Sequence, residues 1–320
     1  MSPDPSLRPA RAAFALPGYA ELSCRSNFSF LCGASQPQEL VARAKALRYA
    51  ALAITDECSL SGVVRAHGEA RRCGLPLIVG ATMQLEAPQA AAAATPTAAP
   101  AAAADRGAEA GHAPGARLVL LAQTRRGWGN LSQWITVARR RAPKGQYRAL
   151  ASDLEGKVPE APMLAGLPDC LALLLASAVL APSPDDPFET LFAQALWLKT
   201  WFGPERCALA LPLLLRAHDA LLADAVQRVA TLTGLRIVAV GDVLMHARSR
   251  KPLQDVLTAT RLGRPVAECG HALEPNAEAH LRSRARLARL YRPEWLQATL
   301  ELAGQCRFSL DELRYEYPDE

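Results

Sequence analysis

The chain has 320 residues, half of them apolar, with 36 Lys and Arg against 31 Asp and Glu for a formal net charge of +5. That length suffices for one large α/β domain or two smaller ones with a sizeable buried core. No run of about 18 or more apolar residues is present, which argues against a membrane span.

Residues 1–18 read as a flexible N-terminus. They carry Arg8 and Arg11, but the apolar stretch is too short for a signal peptide, so the expectation is a cytoplasmic protein without a membrane partner. Next comes ELSCRSNFSF (21–30), a strand end that runs into a loop and brings Ser23, Cys24, Arg25, Ser26 and Asn27 together. Short apolar runs predict seven strands: Tyr19–Ser23, Ala51–Thr55, Leu77–Gln84, Arg117–Ala122, Cys170–Ala176, Cys207–Pro212 and Arg236–Val240. Their continuous hydrophobicity suits strands covered on both faces. Helical patterns fall between them at Pro37–Arg48, Leu60–Cys73, Arg125–Arg141, Pro187–Phe202 and Asp219–Thr233. This alternation implies a parallel sheet with right-handed crossovers, and seven units suit a closed or nearly closed β/α barrel over residues 19–246. A doubly wound open sheet is the alternative.

Residues 87–116 are Ala- and Pro-rich and read as a disordered surface insertion. After Val240 no further strand is convincing. Lys251–Pro252 opens a helix, with Pro suited to a first turn, and 247–320 read as a helical linker. Eight cysteines are scattered with no C-x-x-C pair, which makes a zinc ribbon a poor fit and reduced, mostly buried thiols the expectation.

Charge is unevenly placed. No acidic residue occurs from Arg117 to Ser152, a stretch that includes Arg139, Arg140, Arg141 and Lys144. From Arg248 to Arg292 ten basic residues face four acidic ones, and this run includes Arg282, Arg284, Arg286 and Arg289. Such stretches attract phosphate backbones, or they are simply solvated surface.

In parallel β/α folds chemistry gathers at the C-terminal ends of strands. Ser23, Cys24 and Arg25 with Cys32, then Thr55, Asp56, Glu57 and Cys58, then Thr82, then Asp242, Leu244 and His246 should converge on one rim. A hydrolytic metal site needs several His or carboxylate ligands aimed at one point, and Arg25 would repel a divalent ion there. A salt bridge to Glu57 or Asp242 is the simpler role for it. A cysteine nucleophile would need a base, with His67 and His246 the candidates. No P-loop is present, and Gly127–Asn130 reads as a tight turn opening a helix.

YAELSCRSNFSFLCGAS, ALAITDECSLSGVVRAH, GNLSQWITVARRRAPKGQYR, GDVLMHARSRKPLQDVLTATRLGRPVAECG and CRFSLDELRYEYP together resemble the N-terminal part of bacterial error-prone DNA polymerases, C-family enzymes similar to the replicative polymerase III alpha subunit. The resemblance runs from Tyr19 to the C-terminus apart from the insertion. It implies a polymerase and histidinol phosphatase (PHP) domain, a distorted seven-stranded β/α barrel, and a role in damage-induced mutagenesis and translesion synthesis. Active PHP domains carry a trinuclear metal cluster on the rim. Where they have a first His-x-His, this chain has Ser23 and Arg25. Cys32 takes an acidic position, Thr55-Asp56-Glu57 stands for Thr-Asp-His, Thr82 for Glu, and Asp242 and Leu244 for Asp-x-His. Only Asp242 keeps its ligand type.

The resemblance further implies that the polymerase carboxylates, which hold Mg2+, belong to a palm domain beyond the segment present, so no cofactor is expected in this chain and no polymerisation by it alone. Three functions follow. The first is a noncatalytic PHP module that supports the remaining polymerase domains and helps place them on DNA. The second is a standalone metal-dependent phosphoesterase or 3'-5' proofreading nuclease. The third is an interaction module for other mutagenesis proteins.

Overall fold

The computed structural model describes residues 16–86, 115–159, 161–176 and 187–313. The expected flexible N-terminus falls largely, and the expected insertion almost wholly, outside the described residues. So does the end of the last resembling motif.

Seven strands form one sheet in chain order: β1 (Ala20–Glu21), β2 (Ala51–Glu57), β3 (Leu77–Gln84), β4 (Arg117–Ala122), β5 (Cys170–Leu175), β6 (Cys207–Pro212) and β7 (Ile237–Val240). Around them lie α1 (Pro37–Ala46), α2 (Val63–Cys73), α3 (Arg125–Arg140), a short α4 (Ala151–Leu154), α5 (Phe188–Phe202) and α6 (Asp219–Thr233). Then follow α7 (Lys251–Leu262), α8 (Arg284–Leu290) and α9 (Pro293–Gln305). The architecture is a nearly closed β/α barrel.

The sheet is not wholly parallel. β4 pairs antiparallel with both β3 and β5, while the other neighbours are parallel. The register runs from Gly80 with Leu121 to Gln84 with Arg117, so the end of β3 lies beside the start of β4. A strand that pairs antiparallel with its predecessor needs no crossover helix. The Ala- and Pro-rich stretch thus stands where the helical pattern would have continued, and the start of β4 lies at the same rim as the ends of its neighbours.

Alternation along the strands explains both cores. One face packs outward on the helices, through Leu40 of α1, Ala66 of α2, Trp134 of α3, Leu198 of α5 and Val226 of α6. The other fills the barrel, with Ala51 and Ala53 of β2 and Ala208 and Ala210 of β6 complementing the larger Leu171, Leu173 and Leu175 of β5. Small residues beside large ones fill a narrow interior without voids. Ala298 and Leu302 of α9 belong to this interior cluster. The segment expected to be a linker therefore includes a helix that plugs the end of the barrel away from the rim. The backbone N–H groups of Arg307 and Phe308 donate to the Gln123 carbonyl, at 2.9 and 3.1 Å, just past the end of β4.

The seam between β1 and β7 is closed by three different means. At the rim, Cys24 and Val243 form a parallel bridge, with Arg25 N–H donating to Val243 O and Val243 N–H to Ser23 O, both at 2.9 Å. In the middle, the buried Glu21 carboxylate accepts from Gly241 N–H, Ser23 N–H and the Tyr19 hydroxyl at 2.8 to 3.0 Å. At the far end, Ala20 N–H donates to Thr299 Oγ1 of α9 at 3.1 Å. No described helix is long and apolar enough to cross a membrane.

Burial pushes the Glu21 carboxyl from 4.5 up to about 7, although its three donors pull the other way. The native state then keeps a proton that the unfolded chain has already lost, so this group's contribution to stability falls as pH rises from about 4.5 to 7. Glu21→Gln should flatten that fall by up to about 1.4 kcal/mol per pH unit in urea unfolding. An unchanged slope would contradict the assignment.

Candidate functional site

The strand ends do converge. Arg25, Cys32 and Glu57 line one cleft at the rim, with a volume of about 560 Å3. Arg25 and Cys32 also face an adjoining cavity of about 220 Å3, with Asp242 and Leu244. Seven anticipated residues line neither cavity: Ser23, Cys24, Thr55, Asp56, Cys58, Thr82 and His246. Asp56 is buried under the loop after β1, where it accepts from Ser26 N–H at 2.7 Å and from the hydroxyls of Ser26 and Ser29 at 2.8 Å. Burial raises its carboxyl against those hydrogen bonds. A Cβ on Gly62 would sit 2.5 Å from Asp56 Oδ2, so glycine is what lets α2 start this close. Thr82 donates its hydroxyl to Thr55 O at 2.8 Å and braces β2 against β3.

Arg25 is the centre of the rim. Its side chain is 7% exposed, and Nη2 donates to Asp242 Oδ1 at 2.9 Å. Nη1 lies 3.9 Å from Glu57 Oε2 and 3.4 Å from Cys32 Sγ. Burial opposes the guanidinium charge, but Asp242, Cys32 and Glu57 outweigh it and raise its pKa above the ordinary value. Burial likewise works to raise the Asp242 carboxyl, yet Arg25, Arg117 and Arg216 hold it below the usual carboxylate range. Asp242 has φ +40°, between Gly241 and Val243, a left-handed position that bulkier residues reach at a cost. Ser23 Oγ approaches Asp242 Oδ1 only at 3.5 Å.

Glu57 is shared by residues that the strand-end reading missed. Arg117 Nη2 donates to its Oε2 at 2.8 Å, and the Tyr147 hydroxyl donates to Oε1. Arg139 donates to the Cys58 carbonyl at 3.0 Å and lies over the Tyr147 ring at 5.6 Å. Arg117 opens its strand, and only the reversed direction of β4 brings it to the rim. Arg216 and Arg261 come from the segment after β6 and from α7. The one available signal for Arg117 in the sequence is the Ala- and Pro-rich stretch that stands in place of a helical pattern between the third and fourth strands.

The thiols and histidines offer no nucleophile–base pair here. All eight cysteines are free, burial raises Cys24 well above its ordinary value, and burial pushes Cys58 up to about 12. His67 lies 3.3 Å from Asp311, and His246 Nδ1 lies 2.8 Å from Ser35 Oγ. Neither lines the rim cavities.

The basic stretches divide. Arg282 was expected among the phosphate contacts, but it is 1% exposed and donates to Leu213 O and Tyr291 OH, so it is a core residue. Arg141 pairs with Asp153 at 2.7 Å, Arg286 with Glu278 at 3.4 Å, and Arg284 reaches the Leu16 and Pro17 carbonyls. Arg140, Lys144 and Arg289 are exposed.

The PHP domain family matches residues 21–211. The chain belongs to the PHP domain family. It is 52% identical over 305 residues to the error-prone DNA polymerase of Bordetella parapertussis, covering 95% of this chain and 26% of that one. It is 48% identical over 316 residues to the error-prone DNA polymerase of Ralstonia nicotianae, covering 98% and 27%. The chain therefore spans about a quarter of the length of these curated relatives. Among solved structures, an amidohydrolase from Chromobacterium violaceum aligns over 70% of this chain and 86% of its own, at 15% identity and a TM-score of 0.44, too slight a likeness to support an argument.

The donor set of this PHP barrel does not fit the metal cluster of active PHP domains. Among the described residues no group of three His, Cys, Asp or Glu side chains is arranged to hold an ion. The Arg25 guanidinium instead contacts Asp242 and lies within ion-pair distance of Glu57, the carboxylates that a cation would need.

Arg25→Met should strip Asp242 of its nearest counter-ion and lower stability by about 3–5 kcal/mol, since an unpaired buried charge is left behind. Adding Asp242→Asn should restore part of that loss in urea unfolding at neutral pH. A loss below about 1 kcal/mol would show that the pair behaves as a surface bridge.

Proposed function

We propose that this chain is the PHP barrel portion of an error-prone DNA polymerase that serves damage-induced mutagenesis and translesion synthesis in the cytoplasm, and that its own rim is structural and metal-free. The observation that carries the reading is identity of 52% sustained over 95% of the chain to a relative of that name. DNA as substrate and Mg2+ as cofactor then belong to the polymerase portion represented in the rest of the relatives' length. The barrel supplies a rigid support for it, and a buried salt-bridge network takes the place of the metals at the rim. Of the basic residues expected at phosphate or interdomain contacts, Arg140, Lys144 and Arg289 are exposed and without an ion pair among the described residues, which leaves them free for that role.

The rim donor set favours this reading over a metal-dependent phosphoesterase or proofreading nuclease, because Asp242 and Glu57 are both within ion-pair distance of Arg25. Purified chain incubated with single-stranded DNA and manganese or zinc should release no nucleotides. Release abolished by Asp242→Ala would establish the nuclease instead. Deletion of the gene should lower the mutation frequency after ultraviolet damage, and an unchanged frequency would overturn the polymerase reading.

A further inference from the structure

Cys32 is set apart from the other thiols. It is partly exposed, and it alone among the cysteines lines the two rim cavities. Burial raises Cys24, Cys58, Cys170, Cys207 and Cys306 above the ordinary thiol value, and Cys269 is buried as well. Cys73 is partly exposed, but its Sγ faces the Ala70 carbonyl at 3.8 Å. The Cys32 sulfur instead accepts from Arg25 Nη1 at 3.4 Å. The groups around it are incompletely satisfied. Nε of Arg25 is buried with no hydrogen-bond partner, and Arg25 is only 6% exposed. Nε of Arg117 and Oε1 of Gln254, on the walls of the smaller cavity that Cys32 lines, are buried and unpartnered too. Buried polar atoms are rarely left unpaired. Charge points the same way. The guanidinium groups of Arg25, Arg117, Arg139, Arg216 and Arg261 line the two cavities against the carboxylates of Glu57, Asp242 and Glu274, so an anion formed at Cys32 meets net positive charge.

We propose that Cys32 is an oxidation site, at which a small hydroperoxide converts the thiol to a sulfenic acid, and in excess to a sulfinate, held by the Arg25 guanidinium. The sulfur attacks one peroxide oxygen. The S–O bond forms as the O–O bond breaks, so sulfur loses two electrons and the peroxide gains them. With hydrogen peroxide the departing hydroxide takes up the thiol proton and leaves as water. A second peroxide repeats the step and gives the sulfinate, which is anionic near neutral pH. A guanidinium that already donates to the sulfur is placed to donate to oxygens bound on it, and such charge-assisted bonds are the stronger kind. The sulfenic O–H supplies a donor for Gln254 Oε1, which has none. The proposal rests on the metal-free reading of the rim, because a thiol that ligates an ion is not free for this step.

The test treats the 320-residue chain with graded hydrogen peroxide, in EDTA or with stoichiometric zinc. Dimedone traps sulfenic acid, and peptide mass spectrometry places the adduct. The expected result in both buffers is labelling of Cys32 about tenfold faster than of Cys73, with sulfinate on Cys32 at higher peroxide. A second measurement does not depend on oxidation. Cys32→Asp sets a fixed carboxylate beside the same guanidinium and should melt about 2 °C above Cys32→Ser. Labelling of Cys32 no faster than of Cys73 would overturn the oxidation site and leave the polymerase reading intact. So would a midpoint for Cys32→Asp no higher than that of Cys32→Ser, since the site would then not favour an anion. Labelling in EDTA that zinc suppresses would show that this thiol ligates metal, and would overturn the site and the metal-free rim together.

Discussion

A guanidinium buried among carboxylates sets the electrostatics of the barrel mouth. Arg25 extends from the loop after β1 and meets Asp242, from the loop after β7, across 217 positions of sequence. Taking either ion out of water alone would cost several kcal/mol, so each is tolerable at this depth only because the other is there. The same pair spans the seam between the first and last strands. Closure of the barrel at the rim and neutralisation of the site are therefore one interaction seen from two sides.

The rest of the seam follows a similar logic. β1 and β7 are too short to exchange a full ladder, so their free N–H groups need other acceptors. The Glu21 carboxylate supplies them in the middle and Thr299 supplies one at the far end. α9 is thus part of the barrel. Glu21 gives up some of its own acidity to burial in doing so, which ties this joint to pH.

Much of the fold was legible in the residues because buried strands announce themselves. The runs CLALLL and CALALP can hardly be anything but covered on both faces, and three of the seven strands have the expected bounds. Direction is different. The run RLVLLA reads the same for either orientation, and only the connection before it decides. The strand–helix alternation predicts a parallel β4, a direction that would leave Arg117 at the end away from the rim, whereas β4 runs antiparallel to both neighbours. Arg282 shows the same limit for charge. A basic run is visible in composition, but the depth of one member is fixed by Leu213, distant in sequence, and by Tyr291, at the far end of α8. An amphipathic helix such as α9 likewise carries an apolar stripe without saying what it will cover. At the site itself, Ser23, Arg25, Cys32, Glu57, Asp242 and Leu244 were legible because they follow strands that keep the common direction. Tyr147, Arg216 and Arg261 were not, since they arrive from helices and loops whose packing is tertiary.

The central claim is that Arg25 holds the place of bound metal. Elemental analysis of the chain, purified without chelator after growth with added zinc and manganese, tests it most directly. The account predicts no stoichiometric metal in the native chain. One or more ions per chain, lost on Asp242→Ala, would contradict it.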